Sequence, residues 1–234
     1  NGSISYSFEY KSFTRQELLG HSQYAVWKFT HKTTGKEFAV KVVPLRKNRK
    51  KRDSANYYHL MKIMHEIEIL RTLRNHNNII QFYGYGVDKD SALLFMELMD
   101  YSLEDLLARQ RTSRTNPLIY SPCRDFAYLI MTSCLSALEF CFKMGIRNDD
   151  IKPANILLNK KGKVKISDFG EASKFGESQN FGSLLYLSPL CHNSKSNLKE
   201  NEHDFWGLGI TLLEIFYGQN PILMFSPYKN EKNE

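Results

Sequence analysis

Apolar and polar residues alternate in Ala25–His31 and again in Lys36–Val43, so both stretches predict β-strands, separated by the turn-like Lys32-Thr33-Thr34-Gly35. From Tyr57 to Arg74 the period changes, and Leu60, Ile63, Met64, Ile67, Leu70 and Leu73 recur at helical spacing. Ile79–Tyr85 and Leu93–Met99 predict two further strands. Beyond Tyr101 the helical period dominates, with helices predicted over Leu103–Arg109, Arg124–Met144 and the strongly apolar Phe205–Tyr217. A strand-and-loop stretch, Ile156 to Pro189, lies between the last two of these. No internal repeat or long linker interrupts the pattern. It predicts an α+β protein: a small β-rich lobe with one helix over residues 1–99, then a mostly helical lobe over residues 100–234.

Composition changes this picture little. The 234 residues are 42% hydrophobic and 24% charged, an ordinary globular balance that excludes fibrous, collagenous and wholly disordered chains. Against 25 Asp+Glu stand 32 Lys+Arg, a net charge of +7, and much of the excess sits in Arg46–Arg52 (RKNRKKR). Such a run reads first as a solvated loop, with nuclear targeting or an acidic partner as the alternatives. No aromatic stacking platform or recognition motif accompanies it, so nucleic acid is set aside as a partner. No uninterrupted apolar stretch approaches the roughly 18–20 residues that span a bilayer, no signal peptide is visible in a chain that begins at Asn1, and no membrane partner is expected. Cys123, Cys134, Cys141 and Cys191 are scattered without metal-ligand spacing and read as reduced thiols. The expected location is the cytoplasm.

The chemistry starts at Phe38-Ala39-Val40-Lys41, where a lysine ends an apolar strand. A buried ammonium needs a partner, and Glu66 on the following helix is placed to supply one, although a surface lysine and a solvated glutamate would read the same way. Asp150-Ile151-Lys152-Pro153-Ala154-Asn155 then leads into the apolar Ile156-Leu157-Leu158, with three polar heads able to enter one cleft. After Asn155 comes Asp168-Phe169-Gly170, an aspartate at a strand end beside a glycine that permits a sharp turn. Asn155 and Asp168 offer hard oxygen ligands suited to Mg²⁺. Each motif alone is weak; their order and spacing together are strong.

With these residues in hand, the sequence resembles the eukaryotic protein kinases from about Leu18 to Tyr217, through Phe38–Lys41, Glu66, Asp150–Asn155 and Asp168–Gly170. Gly182-Ser183-Leu184-Leu185-Tyr186-Leu187-Ser188-Pro189 looks like the end of an activation segment, and Asp204-Phe205-Trp206-Gly207-Leu208-Gly209 like the start of the helix that anchors the large lobe. Gln81–Gly84 and Met96–Asp100 look most like the MAP kinase kinases, and Lys152 is of the Ser/Thr style. The resemblance implies a two-lobed kinase fold and an ATP-dependent, Mg²⁺-requiring transfer of phosphate to Ser/Thr hydroxyls of a protein substrate, with a MAP kinase-like protein in a signalling cascade as the candidate. It implies that Lys41, held by Glu66, grips the α- and β-phosphates, that Asp168 and Asn155 hold Mg²⁺, that Asp150 accepts the substrate proton, and that Lys152 stabilises the transferred phosphate. Gly20, Ser22, Ala25 and Val26 would cover the nucleotide, with Ala39, Met96, Glu97, Met99 and Leu157 around adenine.

The departures matter as much. In Leu19-Gly20-His21-Ser22-Gln23-Tyr24-Ala25-Val26 only Gly20 remains of three expected glycines; Ser22 and Ala25 replace the others, and the loop is one residue short. The His-Arg that precedes the catalytic aspartate in the family is Asn148-Asp149, and Asp149 is expected to repel a phosphate on the activation segment. Ser173, Ser178 and Ser183 are that segment's candidate phosphorylation sites, although each taken singly reads first as loop polarity. Leu190 replaces its closing glutamate, and the large lobe is expected to lack its last helices, with a frayed tail over Ser226–Glu234. A pseudokinase that binds partners, and ATP, without efficient transfer is therefore the alternative expectation.

Overall fold

The structure, a computed structural model, describes residues 8–21, 23–45, 54–112, 124–177, 182–192 and 201–224. Ser22, Arg46–Arg52, Cys123, Ser178 and Ser226–Glu234, singled out above, lie outside the described residues. The chain divides into two compact units, one of Asn1–Asn75 with Ile80–Met99 and one of His76–Ile79 with Asp100–Glu234.

The first unit holds β1 (Phe13–His21), β2 (Ala25–His31), β3 (Glu37–Pro44), α1 (Ser54–Thr72), β4 (Phe82–Asp88) and β5 (Ser91–Met96). Its strands form a five-stranded antiparallel sheet in the order β1-β2-β3-β5-β4. Strand β1, absent from the hydrophobic pattern, is an edge strand carrying Arg15, Gln16 and Glu17, and it breaks register between Arg15 and Leu18 and again before Gly20. Polar residues and bulges of this kind blunt an open sheet edge, and they also erase its alternation. Phe13, Phe29, Phe38, Val40, Leu93 and Phe95 form a buried cluster on one sheet face, with Phe13 and Phe95 ring centroids 4.7 Å apart. On α1 the buried residues are His59, Ile63, Glu66, Ile67, Ile69 and Leu70, with Leu73 buried just past its end, whereas Leu60 and Met64 are exposed. The helix is thus turned so that two polar side chains, not two of the expected apolar ones, face inward.

The second unit holds β6 (Tyr101–Ser102), α2 (Leu103–Thr112), α3 (Arg124–Lys143), β7 (Ile146–Arg147), β8 (Ile156–Leu158), β9 (Val164–Ile166), β10 (Ser173–Lys174), α4 (Glu202–Tyr217) and α5 (Pro221–Met224). It contains a three-stranded sheet, β6-β8-β9, and a two-stranded one, β10-β7. His76–Ile79 belong here although Ile80–Met99 follow them in sequence: the Ile166 N–H donates to the Asn78 carbonyl at 2.8 Å and the Asn78 amide to the Val164 carbonyl at 3.0 Å. Helix α3 buries Ala127, Ile130, Cys134, Ala137, Leu138 and Cys141 at helical spacing and packs on β9 and α4. By length and composition it is apolar enough to cross a membrane, which a search for uninterrupted apolar runs does not anticipate. Helix α4 ends at Gly218, whose φ of 72° is the left-handed cap that lets its N–H reach the Glu214 carbonyl at 2.7 Å.

Candidate functional site

In the first unit, strand register aligns Gly20, Val26, Lys41 and Leu94 in one row, and Lys28, Ala39 and Met96 in a second. Cross-strand partners share a face and alternate residues reverse it, so Val26, Ala39, Lys41 and Met96 stand on the face opposite the aromatic cluster. Ala25 pairs with Val42, which packs on that cluster, so its methyl is turned away from Lys41. The Lys41 ammonium donates to Glu66 Oε1 at 2.7 Å with both side chains buried, the pairing that a charge on an apolar strand requires. The sequence did not announce a second link. His59 Nε2 lies 2.6 Å from the Pro44 carbonyl, which can only accept; Nε2 therefore carries the proton and Nδ1 accepts from the Tyr24 hydroxyl at 3.4 Å. This ties the turn after β1 to α1 and leaves the Tyr24 ring 5.7 Å from the Lys41 ammonium. Glu97 exchanges bonds with Gln81, its N–H donating to the Gln81 carbonyl at 2.9 Å and its carboxylate accepting from the Gln81 N–H at 2.7 Å. Met99 is half-buried in the chain after β5.

In the second unit a short hairpin does the assembling. Ile156 pairs with Ile166 at its open end, so Asn155 and Ser167 flank the last rung and Asp168 follows at once. The Ser167 N–H and hydroxyl both donate to the Asn155 carbonyl, at 2.8 and 3.0 Å, locking the two loops together. Asp150 is buried and accepts hydrogen bonds on both carboxylate oxygens. Its Oδ2 accepts from the Lys152 ammonium at 2.7 Å and the Asn155 amide at 2.9 Å, while Oδ1 accepts from the Ser183 N–H at 2.8 Å. Lys152 also donates to the Ser183 hydroxyl at 2.6 Å. A Cβ on Gly182 would stand 2.7 Å from Asp150 Oδ1 and overlap the Asp149 carbonyl oxygen, so only glycine lets Ser183 come this close. Asp168 is half-buried with φ 53°, a backbone region costly for a non-glycine residue, and its carbonyl accepts from the Asn148 amide at 3.4 Å. Leu157 is half-buried on β8, opposite in facing to its buried neighbours Ile156 and Leu158. The Asn155 amide nitrogen faces Asp150 and donates to both its carbonyl and its carboxylate, which turns the Asn155 carbonyl oxygen away from them. That oxygen and the Asp168 carboxylate are hard donors, and the pair fits magnesium, which takes few protein oxygens and completes its shell with phosphate and water.

Asp149 does not act as expected. It is wholly buried rather than presented to a phosphate: its carboxylate accepts a short hydrogen bond from the Ser173 hydroxyl and lies 3.5 Å from the Arg147 guanidinium. Burial raises its pKa, opposed by Ser173 and Arg147. Ser173, at 2% exposure, is thereby removed from the candidate phosphorylation sites. Arg147 donates to the Ser173 hydroxyl at 2.8 Å and the Glu177 carbonyl at 3.0 Å. Asp204 on α4 accepts the N–H groups of Asn148 and Asp149, each at 2.9 Å, and burial pushes its carboxyl up to about 7. His203, its pKa lowered chiefly by burial, hydrogen-bonds the Asp149 backbone and accepts from the Ser188 N–H at 3.3 Å. Leu190 is exposed, and the buried Glu214 of α4 meets the Tyr186 hydroxyl instead, at 2.6 Å. Asp204, Tyr186 and Ser188 stood in the two stretches matched to the family, whereas Arg147, His203 and Glu214 belonged to no motif.

The protein kinase domain family model matches residues 13–234. The chain is 31% identical over 221 residues to mitogen-activated protein kinase kinase kinase 3 of Arabidopsis thaliana, covering 92% of this chain and 37% of that protein. It is 29% identical over 225 residues to MAP kinase kinase mkk-4 of Caenorhabditis elegans, covering 92% and 58% respectively. Serine/threonine-protein kinase dst2 of Dictyostelium discoideum is 28% identical over 221 residues, covering 92% of this chain and 18% of that protein. The chain therefore spans less than two thirds of each relative.

Proposed function

Because this chain belongs to the protein kinase domain family, we propose that it transfers the γ-phosphate of ATP to Ser/Thr hydroxyls of a protein substrate within a MAP kinase cascade. The observation that carries this reading is the fixed carboxylate of Asp150, held on both oxygens by Lys152, Asn155 and the Ser183 N–H. A base oriented this way meets an incoming hydroxyl without rearranging, and positioning is most of what phosphoryl transfer asks of a protein. Asp150 orients the hydroxyl and takes its proton. Lys152, beside Ser183, balances the negative charge that reaches the acceptor side. Lys41, kept charged and aimed by Glu66, binds the α- and β-phosphates. Asp168 and Asn155 would hold Mg²⁺, which when bound neutralises phosphate charge. The MAP kinase kinase and kinase kinase relatives support a kinase as the protein substrate.

A second reading, nucleotide or partner binding without turnover, is favoured by one feature: Gly20 is the single glycine in Leu19–Val26. The two separate in one experiment with labelled ATP, Mg²⁺ and a generic Ser/Thr substrate. On the first reading Asp150→Asn lowers turnover by about 10²–10⁴-fold while nucleotide affinity holds. Nucleotide binding with no transfer above that variant establishes the second.

A further inference from the structure

We propose that Asp149 is a positioning residue that ties residues 173–177 and 182–188 to the Asp150 loop, so that holding these two segments there requires no phosphate. Its side chain holds the first segment. The carboxylate accepts from the Ser173 hydroxyl, and Arg147, paired with the same carboxylate at 3.5 Å, reaches on to the Glu177 carbonyl at 3.0 Å. The β7–β10 ladder runs beneath, pairing Ser173 with Arg147 and Lys174 with Ile146. Its backbone holds the second segment: His203 hydrogen-bonds there and its Nδ1 accepts from the Ser188 N–H at 3.3 Å, while Gly182 lies against the Asp149 carbonyl. Both attachments need Asp149 to keep φ at 62°, a conformation disfavoured for a side chain bearing a Cβ and fixed here by the Asp204 bond to its N–H. A phosphate could occupy this position only by displacing a buried carboxylate from Arg147 and Ser173. The Asp149 side chain faces inward and bonds groups the chain already carries.

This deepens the proposed function, borrowing only the role of Asp150, and its test does not depend on turnover. Amide hydrogen exchange is followed at Phe175, whose N–H donates to the Gly145 carbonyl at 2.9 Å, and at Ser183 and Ser188. Full-length wild type is compared before and after phosphatase treatment, and with Ser173→Ala, Ser173→Thr and Asp149→Asn. Protection at all three amides should survive the phosphatase. Loss of a bond to a buried charge should speed exchange at Phe175 by about tenfold or more in Ser173→Ala and Asp149→Asn, with α3 amides unmoved and Ser173→Thr, which keeps the hydroxyl, closer to wild type. Protection that disappears with the phosphatase overturns the proposal, as does unchanged exchange in Ser173→Ala and Asp149→Asn. If Asp149→Asn also loosens α3, the Ser173 pair and the wild-type comparison decide.

Discussion

Replacing Glu66 with leucine takes away the carboxylate that neutralises Lys41 and leaves everything else about the lysine in place. The ion pair is 2.7 Å long, and its side chains are only 8% and 7% exposed, so water cannot substitute for the missing partner. A buried ion pair broken on one side costs about 3–5 kcal/mol, because the remaining charge keeps its desolvation penalty without its Coulomb partner. For a chain of this size that corresponds to a fall in melting temperature of about 6–20 °C. Removing both charges, in Lys41→Met with Glu66→Leu, should restore stability to within about 1 kcal/mol of wild type, since an apolar pair of similar volume carries no such penalty. Urea unfolding of wild type, both single variants and the double variant measures the coupling directly, and phosphotransfer is lost wherever Lys41 is lost. The reasoning fails if Glu66→Leu lies within about 0.5 kcal/mol of wild type, or if the single effects simply add in the double variant.

Two further outcomes follow from the second unit. Gly182→Ala should cost about 10²-fold in turnover, because its methyl would meet Asp150 Oδ1 at 2.7 Å and Asp150 Cβ at 3.0 Å and must push the base out of line; an unchanged kcat contradicts the close approach. The His203 pKa is lowered in the fold, so its contribution is present above the ordinary histidine value of about 6.5 and is lost as pH falls below it. His203→Gln should therefore lose less stability than wild type between about pH 7 and 5.5, while the opposite slope from the raised Asp204 is common to both proteins and cancels in the comparison; parallel curves refute this.

Strands β2, β3 and β5 and the helical period of α1 were legible because apolar residues dominate them, and in β3 and β5 consecutive residues are buried on both faces of the sheet. The spacing of Asn155 and Asp168 was legible for a structural reason too: the residues between them are one hairpin, whose pairing must return its ends to each other. Strand β1 was not, because an edge strand is written in polar residues. The stripe of α1 was drawn through Leu60 and Met64, and His59 was missed, since periodicity reads hydrophobicity; Glu66 was legible as the partner of Lys41, whereas the place of His59 is visible only against Pro44. Ser173 read as loop polarity and Asp149 as an exposed charge for the same reason. A buried polar group looks like a surface one until its partners are known, and Arg147 belonged to no motif that would have named it.

Asp150, Lys152, Asn155 and Asp168 are together the proposed machinery of transfer. The most direct measurement is transfer of labelled phosphate from ATP with Mg²⁺ to a Ser/Thr protein substrate, by wild type and by Asp168→Asn, each first shown to be folded by its melting transition. Wild type should show Mg²⁺-dependent transfer, and the variant at least about 10²-fold less. Folded wild type that transfers no more than folded Asp168→Asn would contradict this.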